Sequence, residues 1–232
     1  APKAAFTFEY SVALQKLNNL KITTDGKERQ LTSEEREKII ALIKEKKEIK
    51  FSTIKNLLKL PSESRFNLLN YSSKKDAEDT EKKTNFVRLA NSFSIREVLI
   101  EENRSDVDLI DSIALILSTY KSDDNRTAHF KELGKLNEQE IDNILLLNVK
   151  GFGGTSLKFL KKIEKYLEDG QKYSEACKSA GYNHSEQASY GKSKFLNTKE
   201  VFEQVKDIEV PVVRRAVSQT IKIINSIISK YG

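Results

Sequence analysis

Residues Gly151–Lys158, GFGGTSLK, set glycines, two hydroxyls and a lysine at the head of a lysine-rich run, and these residue types together can hold phosphate. Two nucleotide chemistries fail on spacing. A Walker A loop places lysine and then serine or threonine directly after its second motif glycine, so that backbone amides and lysine share one polyphosphate. Here Gly151, Gly153 and Gly154 lead into Thr155 and Ser156, with Lys158 two residues later. A dinucleotide fingerprint fails because Ser156 stands where its third glycine belongs. A cradle for a backbone phosphate survives. Glycines permit close approach, Thr155 or Ser156 would open a helix with free amides, and Lys158 adds a point charge without a base-reading fork. The plain alternative is a glycine-serine helix start with solvated lysines.

Other constellations are thinner. His129 and His184 lie far apart and Cys177 has no CxxC partner, so neither a metal site nor a catalytic residue is expected. KSDDNR at residues 121–126 opens like a calcium loop but lacks its central glycine and closing glutamate. Basic, amide and aromatic side chains interleave in QKLNNLK (15–21), KFSTIKNLLK (50–59), SRFNLLNYSSKK (64–75) and FGGTSLKFLKK (152–162). Such mixtures suit phosphates, riboses and unstacked bases. Phe66 and Tyr71 could stack on a base, although core packing is the stronger expectation for Phe66, Phe152 and Phe159.

The elements that must position these residues read as an all-α fold. Among 232 residues, 38% are apolar and 32% charged, with three prolines, nine glycines and no apolar run long enough to span a membrane. No signal peptide is evident, and one cysteine suits a reducing compartment. The net charge of +6 supports nucleic-acid contact only if it gathers on one surface. The chain has no methionine even at position 1, which leads us to expect an excised piece of a larger protein. Apolar periodicity predicts a helix over 7–20 with Thr7 as a cap, then a loop or hairpin tip at TTDGKERQ. A helix opened by Thr32 or Ser33 follows, and another starts at Ser52 or Thr53 and stops before Pro61. Residues 72–83 read as a solvated linker or insertion. Helices are expected again over 84–103, 107–121, 124–133 and 137–147, the last with Asn137 and Glu140 as a capping box. Leu157, Leu160, Ile163 and Leu167 mark one face of the next helix, with Lys158, Lys161, Lys162 and Lys165 on its other sides. Ala176 and Cys177 should pack inward. The expected organisation is a helical domain over 1–182, a flexible connection over 183–209 and a helix over 210–232 with a broad Val/Ile stripe.

Several blocks in order resemble a compact, type II-C-like Cas9, the RNA-guided DNA endonuclease. They are APKAAFTFEYSVALQKLNNLKI, RFNLLNY, STYKSDDNRTAHF, VKGFGGTSLKFLKKIEKYLEDGQKYSEACKSAGYNHS and PVVRRAVSQTIKIINSIISKYG. The resemblance implies the C-terminal portion of the α-helical recognition lobe, an irregular multi-helix domain, plus the helix leading into a RuvC-like domain. It departs at Val210, where the family commonly has asparagine, and at Ser94, where histidine is frequent. Implied partners are guide RNA, target DNA and the remaining Cas9 domains, with no membrane. Binding would use the shape and backbone of the heteroduplex and the repeat:anti-repeat RNA. The alternative is a docking surface for an anti-CRISPR inhibitor or for other Cas9 domains. By resemblance the contact residues are Gly153, Gly154, Thr155, Ser156, Lys158, Lys162 and Lys165, together with Lys16, Asn18, Asn19, Lys21 and Arg65. Lys16, Lys158 and Lys162 are expected to line one groove. The fragment itself would not cut DNA and would hold no cofactor, whereas the parent nuclease would use Mg2+. A bacterial cytoplasmic location is implied.

Overall fold

The computed structural model describes residues 1–71, 76–149, 151–182, 195–196 and 211–231. Two compact units divide the chain, Ala1–Tyr182 and Asn183–Gly232. The described chain is predominantly helical with two small sheets, as the periodicity predicts.

The first unit is built around α1 (Phe6–Asn18), which packs against α2 (Ser33–Glu45), α5 (Ala90–Glu97), α6 (Val107–Thr119) and α9 (Leu157–Glu168). Phe6, Tyr10, Ala13, Leu14 and Leu17 are buried on α1. Thr7 is not its cap. The helix begins one residue earlier, after Ala5, and Thr7 turns inward to donate from its amide (3.1 Å) and hydroxyl (2.6 Å) to Asp111 of α6. Thr32 does cap α2 in a reciprocal box with Glu35, and Asn137 does the same with Glu140 for α8 (Glu138–Leu145). Between α6 and α8 lies α7 (Asp123–Glu132), and α10 (Tyr173–Ser179) closes the unit with Ala176 and Cys177 buried as expected.

TTDGKERQ is a hairpin. β1 (Lys21–Thr24) and β2 (Lys27–Gln30) pair antiparallel around Asp25 and Gly26, whose φ angles of 51° and 75° fit the tight Asp-Gly turns that join twisted strands. β4 (Arg65–Phe66) adds to β1, with Ile22 opposite Phe66. The second sheet corrects the helix expected from residue 84: β5 (Asn85–Arg88) pairs with β3 (Glu48–Lys50), and α5 starts only at Ala90. A four-residue apolar-polar run carries too little period to separate strand from helix, and pairing decided it.

α3 (Phe51–Leu57) also stops a turn before Pro61. Lys59 adopts φ 51°, Leu60 N–H donates to Lys55 C=O (3.0 Å) and Lys59 N–H to Asn56 C=O (3.1 Å), a Schellman ending with lysine where glycine is usual. Part of the expected 72–83 linker is helix α4 (Ala77–Lys83), because Ala77 and Glu81 are buried against α3; residues 72–75 lie outside the described residues.

In the second unit, the described residues Pro211–Tyr231 form α11. The side-chain amide of Asn225 brackets the Leu196 backbone, accepting from its N–H (2.8 Å) and donating to its C=O (3.0 Å). Ile221 is buried, while Val213, Ile224 and Ile227 of the predicted stripe are exposed. Most of the expected 183–209 connection lies outside the described residues.

Candidate nucleic-acid interface

α9 is amphipathic as its spacing requires, with Leu160, Ile163 and Leu167 buried. Ser156 is its N-cap, the hydroxyl accepting from Phe159 N–H at 3.1 Å. The preceding loop is fixed to the start of the chain: Lys3 N–H donates to Gly151 C=O (2.9 Å), Gly153 N–H to Ala1 C=O (2.8 Å), and the Thr155 carbonyl accepts from the Ala1 amino group. Gly151 has φ 95°. A Cβ on Gly153 would lie 2.3 Å from the Phe8 ring, so this glycine is there for contact with α1, whereas Gly154 faces open space.

The far end of α9 is held as firmly. Asn18 donates to the carbonyls of Leu167 (2.9 Å) and Gln171 (2.6 Å) and accepts from Arg36 (2.8 Å). Arg36 also donates to the carbonyls of Leu167 (3.1 Å) and Glu168 (2.9 Å), placing a cation at the negative end of the helix. Since the start of α1 meets the start of α9 and their ends also meet, the two helices run parallel.

Four lysines project from α9. Lys161 is committed to Asp108, and lies 3.7 Å from Asp111. Lys158, Lys162 and Lys165 are exposed and meet no described carboxylate; Lys162 rests 5.5 Å from the Tyr182 ring centre and Lys165 4.7 Å from that of Tyr166. With a rise of about 1.5 Å per residue, the three span roughly 10 Å along one side of the helix. Behind them, burial pushes the Asp111 carboxyl above its usual range, against the Thr7 hydrogen bonds. Burial, then the nearby Glu168 charge, does the same to Glu164. Glu168 itself is held below its usual range: burial opposes this, but its bonds from Lys44 and Tyr10 prevail.

The other expected contact residues go elsewhere. Lys16 is not in one groove with Lys158 and Lys162. Asn18 and Lys16 leave α1 about 200° apart at 100° per residue. As Asn18 turns to α9, the Lys16 ammonium lies over Phe51 and Phe86 (5.7 and 5.5 Å), where burial lowers its pKa. Asn19, Lys21 and Arg65 share the β1–β4 sheet: Asn67 links the Asn19 carbonyl and the Lys21 amide, and Thr23 pairs with Arg65. There Lys21 pairs with Glu28 (2.6 Å), Asn19 donates to Gln15 C=O (2.9 Å), and Arg65 donates to the carbonyls of Ser62 and Ser64 while lying 5.3 Å from the Tyr71 ring centre. Phe66 is core and Phe159 half-buried against Tyr173 and Tyr182, but Phe152 is exposed, contrary to expectation. Arg36 went unseen because its partners are the Asn18 side chain and backbone carbonyls 131 and 132 residues away, which no local pattern announces.

His129 stacks on Tyr120 and bonds Glu132 (2.9 Å), while His184 lies outside the described residues. Among the described residues no three His, Cys, Asp or Glu side chains gather as a metal site, and no helix is long and apolar enough to cross a membrane.

No protein-family model matches the chain. It is 29% identical over 241 residues to the CRISPR-associated endonuclease Cas9 of Staphylococcus aureus, covering 99% of this chain and 21% of that protein. It is 30% identical over 154 residues to Cas9 of Campylobacter jejuni, covering 66% of this chain and 15% of that one. It thus spans about a fifth or less of the length of these relatives. Among solved structures, C. jejuni Cas9 in complex with sgRNA and target DNA shares the fold over the whole chain, with a TM-score of 0.57, 21% identity and 28% of that chain covered. The type II-C Cas9 of Actinomyces naeslundii does so with a TM-score of 0.55, 17% identity and 25% coverage. Sequence over nearly its full length thus makes this chain homologous to a part of the Cas9 family.

Proposed function

We propose that this chain is a recognition-lobe portion of an RNA-guided nuclease, and that it binds a guide-RNA:target-DNA hybrid through the sugar-phosphate backbone. The observation that carries the reading is the row of Lys158, Lys162 and Lys165, exposed and without carboxylate partners among the described residues, on a helix held at both ends. Ammonium groups in a row satisfy phosphates without reading bases, which leaves sequence choice to base pairing. Gly154, Thr155 and Ser156 would meet the same strand at the head of α9. Asn19, Lys21 and Arg65 form a second, weaker contact for guide RNA, since Lys21 and Arg65 already have partners. Cutting, and the Mg2+ it needs, would belong to other parts of the larger protein.

The test measures binding of a labelled RNA:DNA hybrid of about 20 base pairs to the full chain across a salt series. Replacing Lys158, Lys162 and Lys165 together by alanine should weaken binding and flatten the dependence of log K on log salt by up to about 0.9 per lysine. An unchanged slope would remove the interface from α9.

A further inference from the structure

Nine phenylalanines lie among the described residues of the first unit, and eight are buried or half-buried. Phe152 alone is exposed, at 51%. Its position is not that of a floppy loop tip. On one side Gly151 is bonded to Lys3, on the other Gly153 is bonded to Ala1 and pressed against Phe8, and Phe152 itself bridges Pro2 as an isolated antiparallel pair. The two hydrogen bonds that make this bridge hold the backbone on either side of Phe152, while about half of the residue stays exposed. Phe152 lies four residues ahead of Ser156, the N-cap of the helix that carries the lysine row.

We infer that Phe152 is a specificity-determining residue of the interface: its ring packs on ribose faces in the wide, shallow minor groove of an A-form duplex and so selects RNA-containing duplexes over B-form DNA. This rests on the function proposed above. The chemistry is complementary on both sides. Lysines attract any phosphate backbone and cannot tell the two duplexes apart, whereas a flat apolar ring on a rigid loop can lie in a broad groove lined by riboses. The B-form minor groove, roughly 6 Å wide and deeper than it is broad, does not admit a loop carrying such a ring.

The experiment compares the full chain with Phe152→Ala and Phe152→Leu, using a labelled RNA:DNA hybrid and a DNA duplex of identical sequence and length. Phe152→Ala should weaken hybrid binding about tenfold, in the range of aromatic contacts to nucleic acid, with DNA binding altered less than about twofold and the salt slope kept because no charge is lost. Phe152→Leu should fall between. Thermal melting of both variants should match the parent, as the ring packs little. Equal losses on both duplexes, or an unchanged hybrid affinity, would overturn the assignment. If the triple lysine variant weakens binding while Phe152→Ala does not, only the role of Phe152 fails; if the lysine variant is also without effect, the interface itself fails.

Discussion

On α3 the Lys55 ammonium donates to the carbonyls of Ser62 and Ser64 and to both oxygens of Glu81, whereas on α9 Lys158, Lys162 and Lys165 meet no described carboxylate. Lys55 and Glu81 are 13% and 1% exposed at their side chains, so this pair is turned into the fold and fastens α4 and the Schellman ending of α3 to each other. Both regions read in sequence as helical segments that interleave lysine with amide or aromatic side chains. One spends its charge on internal structure and the other leaves it available to a partner. The presence of cations therefore says little about binding until their internal partners are known.

Three tests, with four substitutions among them, would break or sharpen this contrast. Lys55→Met has the largest expected effect, because it leaves the Glu81 carboxylate buried without its counter-charge and with only the Tyr71 hydroxyl bond. Loss of one partner of a buried pair typically costs about 3–5 kcal/mol, readable as a drop in the urea midpoint of the full chain. A loss below about 1 kcal/mol would place this pair with surface ion pairs and erase the contrast. Next comes Gly153→Ala, whose Cβ meets the Phe8 ring and should cost about 1–3 kcal/mol by overpacking. Gly154→Ala meets nothing within 4 Å and should change stability little. Equal effects at the two glycines would mean that the loop is not held against α1.

The smallest effect concerns the buried side of α9. Glu164 has a folded pKa raised by burial, so its ionised form at neutral pH is a cost to the folded state. A carboxyl with a raised folded pKa contributes stability below its unfolded pKa, and that contribution is lost as pH rises through the folded value. Glu164→Gln should therefore stabilise the chain at pH 7 relative to the parent, with the difference fading as the medium is acidified past the ordinary glutamate range. A destabilisation that grows toward neutral pH would show that Lys44 and Lys161 outweigh burial there.

Much of the fold was legible because local rules decide it. The capping boxes of α2 and α8, the Asp-Gly hairpin, the buried face of α9 and its opening at Ser156 follow from side chains within a turn of one another. That lysines would occupy the outer sides of α9 was legible in the same way, but not that Lys161 would be paired with Asp108. The strand β5 and the helix α4 were not, since each depends on a partner elsewhere, β3 and the Lys55–Glu81 pair; the early end of α3 was not because Lys59 takes the left-handed position where glycine is the usual signal.

The sequence by itself determined a helical chain with a glycine loop feeding a basic amphipathic helix, because helix periodicity and capping act over three or four residues. Only tertiary structure decided which charges remain free. Lys16 was drawn onto two aromatic rings, Asn18 and Arg36 became clamps for a helix more than a hundred residues away, and Phe152 was left in water. Hydrogen bonding and burial between distant segments set those outcomes, and neither is encoded in the spacing of neighbours.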